Sequence, residues 1–161
     1  MNVYSNRFGT LDVTEDALVT FPSGLVGFPS HRRFVVLDVD GTSDYQWLQC
    51  VDEPSLAFVL VDMEVLAADF QVEIPDDSLR ELGIEGTDSL SLLAVVTIPT
   101  DAPERASANL RAPLVVNLRT RKGKQLILHE SIPIRYPLIP EQAQSSADPA
   151  LTTEPASVSG G

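Results

Sequence analysis

The chain has 161 residues, 43% of them hydrophobic types and 21% charged, enough for one globular domain and too few for two well-packed ones. No stretch approaches the roughly 20 apolar residues that a membrane-crossing helix needs, and Met1-Asn2-Val3-Tyr4-Ser5-Asn6-Arg7 lacks the basic and apolar regions of a secretory signal, so a cytoplasmic protein without membrane contact is expected. A net charge of −12 argues against direct nucleic-acid binding, which draws most of its affinity from clustered Lys and Arg.

In chain order, the first predicted elements are Leu11 to Val13 and Leu18 to Phe21, which flank an acidic turn. Phe8-Gly9-Thr10 reads as a tight hairpin connection with Gly at a positive-φ position. Phe21-Pro22-Ser23-Gly24-Leu25-Val26-Gly27-Phe28-Pro29 follows, with two glycines and two phenylalanines that suggest a bent corner pinned by aromatic rings. Strands are predicted at 34–37, 47–51 and 56–61, where β-branched and aromatic residues lie between Gly, Pro and Asp turns. Cys50, the only cysteine, falls in the second of these and reads as a small buried hydrophobe.

Helix is scarce. Met63 to Asp69 fits one or two turns, and Pro75 to Gly83 fits better, with Asp76 or Asp77 as cap and Gly83 as terminator. Between them Phe70-Gln71-Val72-Glu73 alternates as an edge strand, Gln71 and Glu73 on one face. Further strands are predicted at 90–98, 114–118 and 125–128, the last after an Arg121-Lys122-Gly123-Lys124 turn with Gly at positive φ. From Glu141 onward there is no aromatic and the only large aliphatics are Leu151 and Val158, so residues 141–161 read as a disordered tail on a folded unit of residues 1–140. Eight short strands without crossover helices imply an all-β, mainly antiparallel fold: a small closed or partly closed β-barrel-like domain with one or two short helices.

Charge is divided along the chain. Residues 1–104 carry four basic groups against nineteen acidic, whereas 105–135 carry seven against one. An acidic half steers basic proteins toward it. The cluster Arg119, Arg121, Lys122 and Lys124 is expected to pair with the protein's own acidic half. Neither His31 nor His129 has a second ligand at metal spacing, so no metal or other cofactor is expected. Ser30-His31 with an Asp could be imagined as a hydrolase triad, yet no nucleophile context surrounds a serine. Asp52-Glu53, Asp62 with Glu64 and Asp76-Asp77 are carboxylate pairs without an aromatic lining. A small acidic cytoplasmic hydrolase of unknown substrate is the alternative reading.

Three segments together resemble the bacterial flagellar assembly factor FliW family. The corner Phe21 to Phe28 is similar to that family's F-x-x-G-[LI]-x-G-F, and Leu48 to Asp62 is similar to its L-Q-S followed by D-x-P-x-[LI]-[AG]-F-x-[VL]. Asn109-Leu110-Arg111-Ala112-Pro113-Leu114-Val115-Val116-Asn117 resembles N-L-x-A-P-[ILV]-V-[IV]-N, followed by the G-x-Q of Gly123-Lys124-Gln125. Cys50 stands where the family usually has serine, and the tail runs beyond the usual family end.

The resemblance implies a non-enzymatic barrel-like protein with two protein partners. One is flagellin, held by its C-terminal helical region before export. The other is the RNA-binding regulator CsrA, which represses flagellin mRNA translation and is antagonised by FliW once flagellin has left. Partner contact is expected at Asp52 and Glu53, on the turn between two strands, and at Gln71 and Glu73, which are similar to the family's aromatic-acidic strand near the regulator contact. Asn109 and Asn117, which frame the third segment, complete the candidate set. Phe58 is expected in the core.

Overall fold

A computed structural model describes residues 1–38, 45–67, 69–86 and 88–138. The tail predicted from residue 141 lies outside the described residues. The described residues form ten strands: β1 (Asn2–Ser5), β2 (Gly9–Asp12), β3 (Leu18–Thr20), β4 (Arg33–Leu37), β5 (Tyr45–Cys50), β6 (Ala57–Asp62), β7 (Leu90–Thr97), β8 (Ser107–Asn117), β9 (Lys122–Gln125) and β10 (Tyr136–Pro137). The short helices α1 (Met63–Leu66) and α2 (Asp76–Glu81) both lie between β6 and β7.

Strands β3 to β8 form an antiparallel meander, and β9 pairs with both β8 and β3, which closes a seven-stranded barrel. The closing β3–β9 contact is parallel and rests on one bridge, Thr20 to Lys122. Two neighbours reinforce this seam. The Phe21 ring packs so closely on Gly123 that a Cβ there would lie 2.6 Å from it, and Arg121 donates from Nε to the Leu18 carbonyl at 3.3 Å. Closure removes the exposed edges that an open sheet of this size would present.

The barrel is filled by alternate residues of its strands. Val19, Phe34, Leu48, Cys50, Leu60, Leu93, Leu114 and Val116 form one buried cluster, with Phe28 and Phe58 packed against it. Phe21 and Phe34 meet edge to face at 5.5 Å, as do Phe28 and Phe58 at 5.6 Å, a geometry that adds about 0.5–1.5 kcal/mol per pair beyond area burial. Cys50 is fully buried, and burial pushes its thiol pKa up. Outside the wall, α1, Phe70, Ile132, Tyr136 and Leu138 cover Val61, Ala94, Val96, Ala108 and Leu110. Val72, Ile74, Ile84 and Leu128 pack around Leu82, Val115 and Leu126.

Several expectations shift. Strand β8 has eleven residues rather than five, because its middle bulges: Leu93 faces Leu114 and Val95 faces Asn109, so one residue of β7 opposes four of β8. Pro113, which has no N–H to donate, sits in that bulge. Strand β9 begins three residues before the predicted 125–128 and ends at Gln125, although Leu126 and Leu128 still donate to the Pro113 and Arg111 carbonyls. β1, not foreseen, pairs with β2 across the turn before Gly9, whose φ of +76° is the expected one. In the β8–β9 turn the positive φ falls on Arg121 at 58°, and Gly123 is required for close packing instead. Residues 70–73, expected as an edge strand, form no strand and join no ladder. Helix α2 is preceded by Pro75 with Asp76 and Asp77 in its first turn, neither of them a side-chain cap. It stops at Gly83 as expected, where Ile84 and Gly83 donate to the Leu79 and Arg80 carbonyls.

Candidate protein-binding site

The predicted site residues divide into three groups. Asp52 and Glu53 are exposed on the turn from β5 to β6. Asp52 accepts a 2.6 Å bond from Arg33 Nη2, so its charge is matched within the chain. Among the described residues the Glu53 carboxylate accepts from the Ser55 hydroxyl alone, at 3.0 Å, and has no ion-pair partner. Sequence offered no sign of the Arg33 pairing, which depends on the register that sets Phe34 opposite Cys50.

Gln71 and Glu73 lie on the arm that leads from α1 to α2. The predicted alternation holds without a ladder: Phe70, Val72 and Ile74 are partly buried on two clusters, while Gln71 and Glu73 are exposed. Apolar anchoring on alternate residues fixes the arm against the wall and turns its polar residues outward. Glu64, Asp69, Asp76 and Asp77 are also exposed. Among the described residues the acidic members of ion pairs are Asp12, Asp52, Glu81, Glu85 and Asp88, so none of these arm carboxylates is paired. Glu73, Ile74, Pro75 and Asp76 surround an open depression of about 450 Å³. Asp76 was read from sequence as a possible helix cap and as half of a carboxylate pair with Asp77; alternation continued past Ile74 would have turned it inward, and its exposure comes instead from the start of α2 at that residue.

Asn109 and Asn117 serve the fold. Asn109 Oδ1 accepts from the Arg111 and Ala112 amides at 3.0 and 3.2 Å, holding the β8 bulge. Asn117 is fully buried, which corrects its placement on a partner surface. Its Nδ2 donates to the Leu82 carbonyl and to Asp88 Oδ2, both at 3.0 Å, and its Oδ1 accepts from Arg119 N. The last carbonyls of a helix lack partners within it, and here Asn117, Arg119 Nη2 and the Thr120 hydroxyl supply them at Leu82 and Gly83.

The basic hairpin around this network pairs inward. Arg119 Nε donates to Asp88 Oδ1 at 2.7 Å, and Lys124 Nζ to Glu81 Oε1 at 3.0 Å. Arg119, helped by the Glu85 and Asn117 N–H donors, holds the Asp88 carboxyl well below the ordinary carboxylate range. The Ser23 hydroxyl and then Lys124 lower that of Glu81. Arg121 donates to backbone carbonyls, and Lys122 is exposed.

The hydrolase alternative is not favoured by this geometry. His31 packs edge-on to Phe28 with its Nδ1 buried, and among the described residues no carboxylate or other polar group bonds to that nitrogen. The His129 Nδ1 lies 2.9 Å from the Ser131 hydroxyl, both exposed. Among the described residues no three His, Cys, Asp or Glu side chains gather where they could hold a metal ion, and no helix is long and apolar enough to cross a membrane.

Fold and surface together describe a closed, mainly antiparallel barrel that pairs Arg33, Arg119 and Lys124 with its own carboxylates and presents other, unpaired carboxylates on its arm. The family model described as FliW protein matches residues 2–138. The flagellar assembly factor FliW of Magnetococcus marinus is 33% identical over 162 residues, covering 100% of this chain and 99% of that one. That of Geobacter sulfurreducens is 36% identical over 148 residues, covering 91% and 92%. A crystal structure of the flagellar assembly factor FliW superposes with a TM-score of 0.78 at 30% identity, over 87% of this chain and 98% of that one. The chain belongs to the FliW family of flagellar assembly factors, a family named for an assembly role and not for a reaction.

Proposed function

We propose that this chain is a non-enzymatic, cytoplasmic flagellar assembly factor that holds flagellin by its C-terminal helical region before export. When flagellin leaves, the freed chain binds and antagonises a CsrA-type RNA-binding regulator and relieves repression of flagellin mRNA translation. The observation that supports this reading most is the acidic arm: Glu73 and Asp76 beside an open depression, exposed and without ion pairs among the described residues. A regulator that grips RNA is necessarily cationic, and unpaired carboxylates on an anchored arm attract such a partner without first breaking internal pairs.

The test is titration calorimetry of the full chain against a purified CsrA-type protein at two salt concentrations, repeated with flagellin present. Salt-sensitive binding that flagellin abolishes, and that falls at least tenfold when Glu73→Arg is combined with Asp76→Arg, is the expected result. Undiminished binding by the doubly reversed chain would overturn the assignment of the arm.

A further inference from the structure

Four successive residues of the arm make no backbone hydrogen bond. The Phe70 N–H donates to the Ala67 carbonyl, and the Pro75 carbonyl accepts from Ser78 and Leu79. Between them, neither the N–H nor the carbonyl of Gln71, Val72, Glu73 or Ile74 has a partner among the described residues. The segment is nevertheless anchored. Phe70 packs on the outer-wall cluster that holds Val61, Ala94 and Leu110, and Val72 and Ile74 pack on that of Leu82, Val115 and Leu126. Gln71 and Glu73 alternate with them outward. A two-residue alternation is that of a strand, in which the N–H and carbonyl of one residue share one edge and those of the next share the opposite edge. The arm thus has a strand's side-chain pattern and no neighbouring strand.

Charge selects what can occupy such an edge. Arg80 is the one basic residue between Met63 and Gly86, whereas Glu64, Asp69, Glu73, Asp76 and Asp77 are exposed and, among the described residues, in no ion pair. A second copy laid along the arm would bring carboxylate against carboxylate, and like charges on facing strands repel, which is how proteins guard an open edge against themselves. A cationic segment meets the opposite sign. There is room for it, since Glu73, Ile74, Pro75 and Asp76 surround an open depression of about 450 Å³.

We propose that residues 71–74 receive an extended segment of a partner protein by strand addition, and that this segment alternates basic with apolar residues. Its basic side chains lie beside Glu73 and Asp76, its apolar ones turn toward the depression next to Ile74, and its backbone supplies the bonds that the arm lacks. The proposal rests on the reading of the arm as the contact for a cationic partner. It adds the mode of contact, main-chain pairing, which attraction between side chains does not require.

The experiment titrates the full chain at low salt with an end-capped octapeptide of alternating Lys and Val. Two further versions are N-methylated, one on every Lys nitrogen and one on every Val nitrogen, which keeps the charge and removes donors. Because a strand pairs through alternate residues, one methylated version should bind at least tenfold more weakly and the other within threefold of the parent. Amide exchange in the complex should slow at least tenfold at one alternate pair, Gln71 with Glu73 or Val72 with Ile74, and change little at the other. Glu73→Arg combined with Asp76→Arg should weaken the parent peptide at least tenfold.

Equal binding by all three peptides, absence of binding by the parent, or unslowed exchange along the arm would each overturn strand addition. The wider reading of the arm is decided elsewhere, by capture of a CsrA-type protein and its loss on the double reversal, so either can fail while the other stands. The methylated peptides leave the protein unaltered, and the decision does not depend on a variant that folds.

Discussion

The β8–β9 hairpin and the acidic arm adjoin on the outer wall, where Val72 and Ile74 of the arm pack with Val115 of β8 and Leu126 after β9. They use their charges in opposite ways. In the hairpin, Arg119 and Lys124 point at Asp88 and Glu81, and Asn117 joins the pairs to the end of α2. In the arm, Glu73, Asp76 and Asp77 point at solvent. A charge already matched inside the chain has lost the long-range field that draws a partner, whereas an unmatched charge on an anchored segment retains it. The hairpin is therefore structural, and its rigidity is what lets the neighbouring arm present carboxylates in a fixed place, with little ordering cost left for binding.

The strongest way to break this contrast is at Asn117. Replacing it with Ala removes two donated bonds and one accepted bond in a fully buried site and leaves the Leu82 carbonyl dependent on Thr120. A loss of about 2–4 kcal/mol is expected from stranded buried polar groups of this kind. Urea denaturation checks it: a loss under about 1 kcal/mol would mean that the α2 anchor does not depend on this amide.

A smaller effect, of about 1–3 kcal/mol from overpacking, is expected for Gly123→Ala. The added methyl would meet Phe21 Cε2 and Cζ at 2.6 and 2.8 Å, and that ring is fully buried and held edge-on by Phe34. Because the β3–β9 seam rests on one bridge, amide exchange should rise around Thr20 and Lys122 before it rises in β6 or β7. Protection lost evenly around the barrel would show that the seam is not its weakest joint.

Much of the fold was legible because alternation and turn chemistry are local. The core strands β4 to β7, the stop of α2 at Gly83 and the outward set of Gln71 and Glu73 all follow from residues within a few positions of one another. What escaped depended on register. The β8 bulge required knowing that Asn109 turns back on its own backbone, and a Pro inside an apolar run reads as a strand end. The β1 strand has only four residues, and what marks it is the burial of Val3 and Ser5, the latter bonded to Gln49 of β5. Within the candidate site, exposure at Glu53 and Glu73 could be inferred, while the burial of Asn117 and the pairing of Asp52 with Arg33 could not, since each partner is distant in sequence.

Acid separates the hairpin from the arm without any mutation. Asp88 and Glu81 are held below their ordinary pKa by donors that exist only in the folded chain. A depressed carboxylate contributes stability that is complete above its unfolded value, near 4, and is lost as pH falls toward its folded value. The urea midpoint should stay level above about pH 5 and fall steadily below it, and Asp88→Asn should flatten that fall while lowering stability at neutral pH. An identical acid slope in the variant would remove Asp88 from the acid-sensitive set.

The smallest expected effect lies in the arm and tests the other half of the contrast. Glu73 is exposed and, among the described residues, has no cation paired with it, so Glu73→Gln removes a charge without removing a bond. In a chain of net charge −12 that change slightly relieves self-repulsion. Stability should be unchanged or raised by up to about 0.5 kcal/mol at low salt, and the difference should vanish at about 1 M salt, where charges are screened within roughly 3 Å. Loss of more than about 1 kcal/mol would exceed what an exposed, unpaired side chain contributes. Glu73 would then have an internal partner, its charge would be matched like that of Asp88, and the arm would no longer differ from the hairpin in the one property that recommends it as a binding surface.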